Sequence, residues 1–152
     1  MKLSEILPRE AIIPSLSSRD KKGVLEELAR SVAPMAKTDS DEIVRVLLER
    51  EQLGSTGIGG GIGIPHGKLA SIDSIVVGFG LSRKGVEFDS LDNKPVHIFF
   101  LLITPENSTG THLRVLAQIS KLLKRNQFKE SLIRTESVDE IQKIILDIDE
   151  EF

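Results

Sequence analysis

The sequence contains no cysteine, no tyrosine and no tryptophan. Without cysteine, a disulfide framework, a thiol nucleophile and cysteine-ligated zinc or iron–sulfur sites are excluded. Six phenylalanines are the only members of the Phe, Tyr and Trp group, so the chain has little with which to stack the bases of a single strand. Its formal net charge of −3 also argues against nucleic acid as a partner.

Long apolar runs are absent too. The longest apolar segment, 96–103, is far too short to cross a bilayer and contains His97. The N-terminal residues 1–5 lack the apolar stretch of a secretory signal. We therefore expect a cytoplasmic protein with no direct membrane insertion.

The overall composition is that of a globular chain with one core. Of the 152 residues, 39% are hydrophobic and 28% are charged. No internal repeat or low-complexity linker divides the chain, so a single domain over 1–152 is predicted. Helical and extended signals alternate, which indicates the α/β class with a small sheet and helices on both faces.

Apolar periodicity and capping residues predict the elements of this domain. The predicted helices cover 18–33, 40–52 and 109–124, shorter helical signals surround Phe128 and Leu132, and a last helix follows the capping box of Ser137 and Glu140; the predicted strands cover 74–81, 85–88 and 96–103. Pro34 is expected to end the first helix. Gly54 is expected to end the second in a left-handed conformation.

The segment 54–68, GSTGIGGGIGIPHGK, is unusually rich in glycine. It is not expected to be helical, because each glycine gives up backbone entropy without side-chain packing. A dinucleotide-binding fingerprint is not matched, since its third glycine falls on Ile62, Ile64 or His66. A P-loop is not matched either, because it needs glycine in place of Ile62 and Ser or Thr in place of Leu69. The isoleucines are expected to anchor the segment on the core while bare backbone faces outward.

The distinctive residue of this segment is His66, set between Pro65 and Gly67. Proline fixes the approach of the chain and glycine leaves the far side of the ring open. A neutral imidazole is a competent nucleophile near pH 7. Backbone N–H groups that no side chain shields are able to bind an oxyanion beside it. His66 is therefore predicted to be functional.

Three other residues are weaker candidates. His112 is predicted at the start of a helix, where an anion is favoured, although a capping or surface role is as consistent with the sequence. Arg50 lies in the last turn of the second predicted helix and is either a phosphate clamp or a dipole-compensating surface charge. His97 alternates with apolar residues and is predicted to be a core histidine. A zinc site of His66, His97 and His112 is a further, minor alternative without close ligand spacing.

Residues 50–67, REQLGSTGIGGGIGIPHG, closely resemble the signature of the fructose/mannitol/nitrogen-type IIA domains of the bacterial phosphoenolpyruvate-dependent phosphotransferase system (PTS). Downstream, 92–96 (DNKPV) looks like the central strand of that family, and 111–117 (THLRVLA) is similar to its second histidine motif. The resemblance covers nearly the whole chain. The family usually has alanine where Gly63 stands, which should loosen the segment slightly.

The resemblance implies a single PTS EIIA type-2 domain of three α/β/α layers with a mixed sheet. It also implies a phosphotransferase component with a phosphohistidine intermediate. His66 would accept phosphate, typically on Nε2, from an HPr-like phosphocarrier protein. His112 would stabilise the phosphoryl group or orient the ring, and Arg50 would neutralise phosphate charge. No metal or other cofactor is expected, and the implied phosphate loop comprises Thr56, Gly59, Gly60, Gly61, Gly63 and Gly67.

The sequence leaves the physiological role open. The segments 54–59 and 66–69 and the DNKP motif look closer to the nitrogen-regulatory type, which controls partner proteins. The alternative is the IIA component of a fructose/mannitol-type sugar transporter that passes phosphate to a IIB domain. A third possibility is an interaction module that is not phosphorylated. Ile58 and Ile62 are predicted to form an exposed docking patch for the carrier protein.

Overall fold

The computed structural model describes residues 2–148. Residues 1 and 149–152, which the predicted domain of 1–152 includes, lie outside the described residues. The helices are α1 (Leu3–Ile6), α2 (Lys21–Ala36), α3 (Ser40–Gln52), α4 (Thr109–Leu123), α5 (Asn126–Ile133) and α6 (Val138–Ile148), with a 3-10 turn at Arg9–Ala11; the strands are β1 (Ile12–Ile13), β2 (Gly57–Gly59), β3 (Ile62–Gly63), β4 (His66–Leu69), β5 (Val76–Val86) and β6 (Val96–Pro105).

Strand β6 is the centre of a mixed sheet. The order is β1-β5-β6-β3-β2, and β4 pairs with β6 beyond the end of β3. β6 runs antiparallel to β5 but parallel to β3 and β4. All of β6 except His97 is buried, so both faces of the sheet are covered, as layered α/β packing requires. The predicted α/β class with a mixed sheet is confirmed.

Helices α3 and α6 begin where the sequence provides a capping side chain. α3 spans 40–52 as predicted, and the Asp39 carboxylate accepts the Asp41 N–H at its start. α6 begins with the predicted capping box, in which Ser137 Oγ accepts the Glu140 N–H at 3.2 Å. Among residues 2–148, no helix is long and apolar enough to cross a membrane.

The prediction that Pro34 ends α2 is wrong, because the helix continues to Ala36. Proline removes the hydrogen bond to the carbonyl four residues earlier, that of Arg30, and its ring crowds the same carbonyl. Arg30 and Pro34 are both exposed, so water can satisfy that carbonyl. The helix ends instead at Lys37, whose φ of 53° is left-handed and whose N–H donates to the Ala33 carbonyl.

Most of the predicted strands 74–81 and 85–88 belongs to one strand, β5, which begins at Val76 and ends at Val86. Its pairing with β6 is irregular between Leu81 and Val86, after which Val86 pairs with Val96. Within this bulge the Gly85 N–H donates to Ser82 Oγ at 3.0 Å. This local hydrogen bond takes the place of a ladder hydrogen bond, and the chain then rejoins the sheet. The apolar pattern breaks at the bulge, so the sequence predicted two strands where the structure has one.

The glycine segment forms the hairpin of β2 and β3. Its tip, Gly59 to Gly61, has φ values of 96°, 67° and 80°, a conformation that glycine adopts without steric cost. Ile62 pairs beside Ile98 in the sheet and is 3% exposed. It is therefore a core residue, and its predicted place in an exposed docking patch is wrong. Ile58, on the edge strand β2, is 38% exposed.

Candidate functional site

His66 is the first residue of β4 and pairs with Leu102 of β6. It therefore lies on a strand. The half-buried imidazole has Nδ1 at 2.7 Å from the Ile64 carbonyl oxygen. Because a carbonyl only accepts hydrogen bonds, the neutral ring carries its proton on Nδ1. The lone pair is thus on Nε2, which is the nucleophilic atom.

His112 lies beside this ring. It is in the first turn of α4 and is 4% exposed. The centroids of the His66 and His112 rings are 5.4 Å apart, so the predicted proximity of the two imidazoles is confirmed. His112 Nδ1 is 2.6 Å from Oγ1 of Thr104, a buried residue of β6. This bond orients His112 and leaves its Nε2 available to a group held between the rings.

Both imidazoles are held in the neutral form. Burial lowers the pKa of His66 below the ordinary histidine value of 6.5, against the opposing effect of the Ile64 carbonyl. Burial, together with the charges of His66 and Lys68, lowers the pKa of His112 to about 4. At pH 7 His66 therefore presents a lone pair, and the site does not carry two imidazolium charges.

Two cationic side chains supply positive charge to the site. The Arg50 guanidinium donates to the Gly54 carbonyl at 2.9 Å, and its charge lowers the pKa of His66. Lys68 Nζ donates to Thr109 Oγ1 at 2.8 Å, at the start of α4. Sequence reasoning missed Lys68, although a residue two positions from His66 on a strand projects to the same face. A nucleophile beside such cations suits attack on an anionic electrophile such as a phosphoryl group.

Glu51, also missed, is a buried carboxylate at this site. It is 8% exposed and accepts the Thr56 N–H at 3.1 Å and the Thr56 hydroxyl. Lys21 Nζ lies 3.0 Å from the same carboxylate. The predicted role of Thr56 as a phosphate-loop donor is therefore not supported, because its N–H and hydroxyl are both donated to Glu51.

The structure does not bring the hairpin tip to His66. The Gly61 carbonyl accepts from the N–H groups of His97 and Ile98, whereas His66 pairs with Leu102. The hairpin tip and His66 therefore contact β6 at points that are roughly 15 Å apart along the strand. The Gly60 N–H, moreover, donates to Asp92 Oδ2 at 3.1 Å.

The other predicted site residues pack against the core or lie apart. A Cβ atom on Gly63 would be 3.1 Å from the Phe99 ring, so Gly63 serves the close packing of β3 on the sheet. His97, predicted to be a core histidine, is only half-buried, and its Nδ1 donates to the Ser82 carbonyl at 2.8 Å. Among residues 2–148, no three His, Asp or Glu side chains are grouped to hold a metal, which argues against the three-histidine zinc alternative.

Gly67 is required for the contact of β4 with α3, and its replacement should be destabilising. A Cβ atom at this position would be 2.4 Å from Cγ1 of Val46. Gly67→Ala is expected to lower the free energy of unfolding by about 1–2 kcal/mol through overpacking. In urea denaturation, Val46→Ala should recover part of this loss in the double variant. Strictly additive single effects would show that the two side chains do not meet.

Comparisons with known proteins identify the family of the chain. Residues 5–148 match the family described as phosphoenolpyruvate-dependent sugar phosphotransferase system, EIIA 2. A nitrogen regulatory protein of Bradyrhizobium diazoefficiens is 34% identical over 145 residues, 95% of each chain. The PTS system fructose-specific EIIABC component of Bacillus subtilis is 37% identical over 146 residues, which are 95% of this chain but only 23% of that protein.

Solved structures show the same fold. The crystal structure of nitrogen regulatory protein IIA-Ntr from Neisseria meningitidis is 35% identical, with a TM-score of 0.88 over 93% of this chain and 97% of that chain. The mannitol enzyme IIA of Escherichia coli, solved with phosphorylated enzyme IIB, shares the fold at a TM-score of 0.76 and 21% identity, over 91% of this chain and 95% of that chain. The family match spans almost all described residues, and the chain belongs to the EIIA 2 family of the phosphoenolpyruvate-dependent sugar phosphotransferase system.

Proposed function

We propose that this chain is a cytoplasmic histidine phosphocarrier that accepts a phosphoryl group on His66 from an HPr-like phosphocarrier protein and acts mainly as a nitrogen-type regulatory IIA protein. The observation that carries the proposal is the hydrogen bond from His66 Nδ1 to the Ile64 carbonyl. It leaves the Nε2 lone pair as the reacting group. The neighbouring imidazole of His112 and the charge of Arg50 support the same chemistry.

The proposed reaction is an in-line displacement at phosphorus. The Nε2 lone pair of His66 forms the new N–P bond, while the N–P bond of the donor phosphohistidine breaks and its electron pair returns to the donor ring. No proton has to move, because Nδ1 keeps its proton and the phosphorylated ring becomes an imidazolium. Positioning and electrostatics therefore supply the catalysis, with Arg50 and His112 neutralising or binding the phosphoryl oxygens.

The regulatory role is supported by relatives named nitrogen regulatory protein that this chain matches over nearly their whole length, although the PTS system fructose-specific EIIA component of Haloferax volcanii is also matched over 96% of its length. The nitrogen regulatory protein of Bradyrhizobium is matched over 95% of its length. The alternative, transfer to the IIB domain of a fructose/mannitol-type transporter, is supported by the higher identity, 37%, to part of the fructose-specific component of Bacillus.

Intact-mass analysis tests the proposal directly. The purified chain is incubated with phosphoenolpyruvate, enzyme I and the carrier protein, and a matched sample omits only the carrier. We expect the gain of one acid-labile phosphoryl group in the complete mixture alone. No gain with any cognate carrier would favour the interaction module that is not phosphorylated.

Transfer of the phosphoryl group to a IIB domain distinguishes the transport role from the regulatory role. The phosphorylated chain is mixed with isolated IIB domains of fructose and mannitol type, and loss of its phosphoryl group is followed by mass. A regulatory protein is expected to keep the group over the time in which a transport IIA transfers it. Rapid transfer to one IIB domain would make the transport role the better assignment.

His112→Ala is expected to accept phosphate on His66 but to hold or transfer it poorly. The variant removes the ring beside His66 without removing the nucleophile. Loss of one preorganised group of this kind typically costs about 10²-fold in rate. Rapid-quench transfer from the phosphorylated carrier and the hydrolysis half-life of the phosphorylated chain measure the two effects. Complete loss of acceptance would mean that His112 is itself indispensable to the attack.

A further inference from the structure

A continuous set of hydrogen bonds joins the buried carboxylate of Glu51 to the nucleophilic ring. Glu51 accepts the N–H and the hydroxyl of Thr56. The Thr56 carbonyl accepts the Ile64 N–H at 3.0 Å. The Ile64 carbonyl in turn accepts the His66 Nδ1 proton at 2.7 Å. Two residues, Thr56 and Ile64, thus connect the carboxylate with the ring of His66.

The Glu51 carboxylate is also held in place by a residue of helix α2. Lys21, at the start of α2, has its ammonium 3.0 Å from Glu51 Oε1, and the Lys21 and Glu51 side chains are 19% and 3% exposed. The same ammonium lies over the Phe88 ring at 4.9 Å from its centroid. Pairing of this kind is what allows a charged carboxylate to persist in a buried position.

The charge of Glu51 acts on the ring in the direction that phosphoryl transfer requires. Glu51 raises the pKa of His66 against the effects of burial and of Arg50, which means that it favours a cationic ring. The phosphorylated ring is cationic, because Nδ1 keeps its proton while Nε2 carries phosphorus. A negative charge fixed on the Nδ1 side therefore stabilises the product and the transition state that leads to it.

We propose that Glu51 is a positioning residue for phosphoryl transfer, which acts through Thr56 and Ile64 to fix the orientation of His66 and to stabilise its phosphorylated ring. The inference rests on the proposed function of His66. It differs from the predicted role of the adjacent Arg50, which is to neutralise charge on the phosphoryl oxygens. Glu51 reaches the ring only through Thr56 and Ile64, so we expect its effect on the rate of transfer and not on binding of the carrier.

The decisive variant is Glu51→Gln, which keeps the shape of the side chain and removes its charge. Glu49→Gln is the matched control, because it makes the same change at an exposed position of the same helix. Transfer from the phosphorylated carrier is measured by rapid quench over a range of carrier concentrations. We expect Glu51→Gln to lower kcat about tenfold with KM for the carrier unchanged, and Glu49→Gln to change neither.

A second readout does not depend on phosphorylation. NMR titration of the imidazole in the unphosphorylated protein should give a lower pKa for His66 in Glu51→Gln than in the wild type, and no change in Glu49→Gln. A purely structural role of Glu51 would lower the stability without this directed shift. A folded Glu51→Gln protein with wild-type kcat and wild-type His66 pKa would overturn the proposal.

If Glu51→Gln does not fold, Thr56→Val tests the proposal instead. Valine removes the hydroxyl bond to Glu51 but keeps the Thr56 N–H, so a smaller fall in kcat, about threefold, is expected. Unchanged kcat in Thr56→Val would then overturn the proposal. If the wild type accepted no phosphoryl group at all, the proposed function would fail, whereas the NMR titration would still decide whether Glu51 acts on His66.

Discussion

Replacement of His66 by alanine is expected to abolish phosphoryl acceptance, with a fall of at least about 10³-fold in the rate of transfer from the phosphorylated carrier. The substitution removes the Nε2 lone pair that the Ile64 carbonyl leaves free. His112 is a poor substitute, because its pKa of about 4 makes it a weak base and hence a weak nucleophile. Intact-mass analysis after incubation with the complete donor system measures the result.

His97→Ala is the matched control for this loss. It also removes an imidazole from the sheet, but His97 bonds the Ser82 carbonyl at the other end of β6. We expect His97→Ala to take up one phosphoryl group as the wild type does. A phosphorylated His66→Ala protein would show that another residue is the acceptor, and fragmentation of the modified protein would identify it.

Acidification from pH 7 to pH 5 is expected to lower the free energy of unfolding by about 2 kcal/mol through His112 alone. In the folded protein the pKa of His112 is lowered to about 4, whereas the unfolded chain takes up the proton near the ordinary value of 6.5. Between these values the unfolded state binds more protons, so stability falls as the pH falls through 6.5 and levels off below about 4. His66, whose pKa is also lowered, adds to the loss.

Urea denaturation at a series of pH values between 7 and 5 measures this dependence. This pH window lies above the ordinary pKa values of aspartate and glutamate, so these residues contribute little to the pH dependence there. His112→Gln keeps a polar partner for Thr104 and removes the titration of His112, so it should flatten the curve. Equal slopes in the wild type and His112→Gln would show that His112 is not held neutral by the fold.

Local patterns in the sequence predicted the elements whose ends are set by their own residues. α3 spans 40–52 as predicted, because Asp39 caps it and its apolar stripe has helical spacing. The ends of α2 and β5 were predicted wrongly, because exposure of Arg30 and a hydrogen bond within the bulge at Ser82 depend on the surroundings of those residues. Periodicity does not contain that information.

The dense glycines of the segment were predicted to surround the phosphoryl group, but the structure places Gly59, Gly60 and Gly61 at the far end of β6 from His66. Their positive φ values serve the turn of a hairpin. A turn and a phosphate loop require the same conformational freedom of glycine, so the residues alone did not distinguish the two. Only the register of β3 and β4 on β6 separates them.

By itself the sequence determined the α/β class, the nucleophile candidate His66 and the family resemblance, because capping, periodicity and contiguous motifs are properties of neighbouring residues. The resemblance implied that His112 acts beside His66, and the structure confirmed this, whereas only the tertiary structure showed the contact of Lys68 with Thr109 of α4 and the burial of Glu51 with Lys21. These contacts join residues far apart in the chain through strand register and helix packing. The effect of these contacts on the protonation of the side chains depends on burial, and the side chains are buried only once the sheet and its helices have assembled.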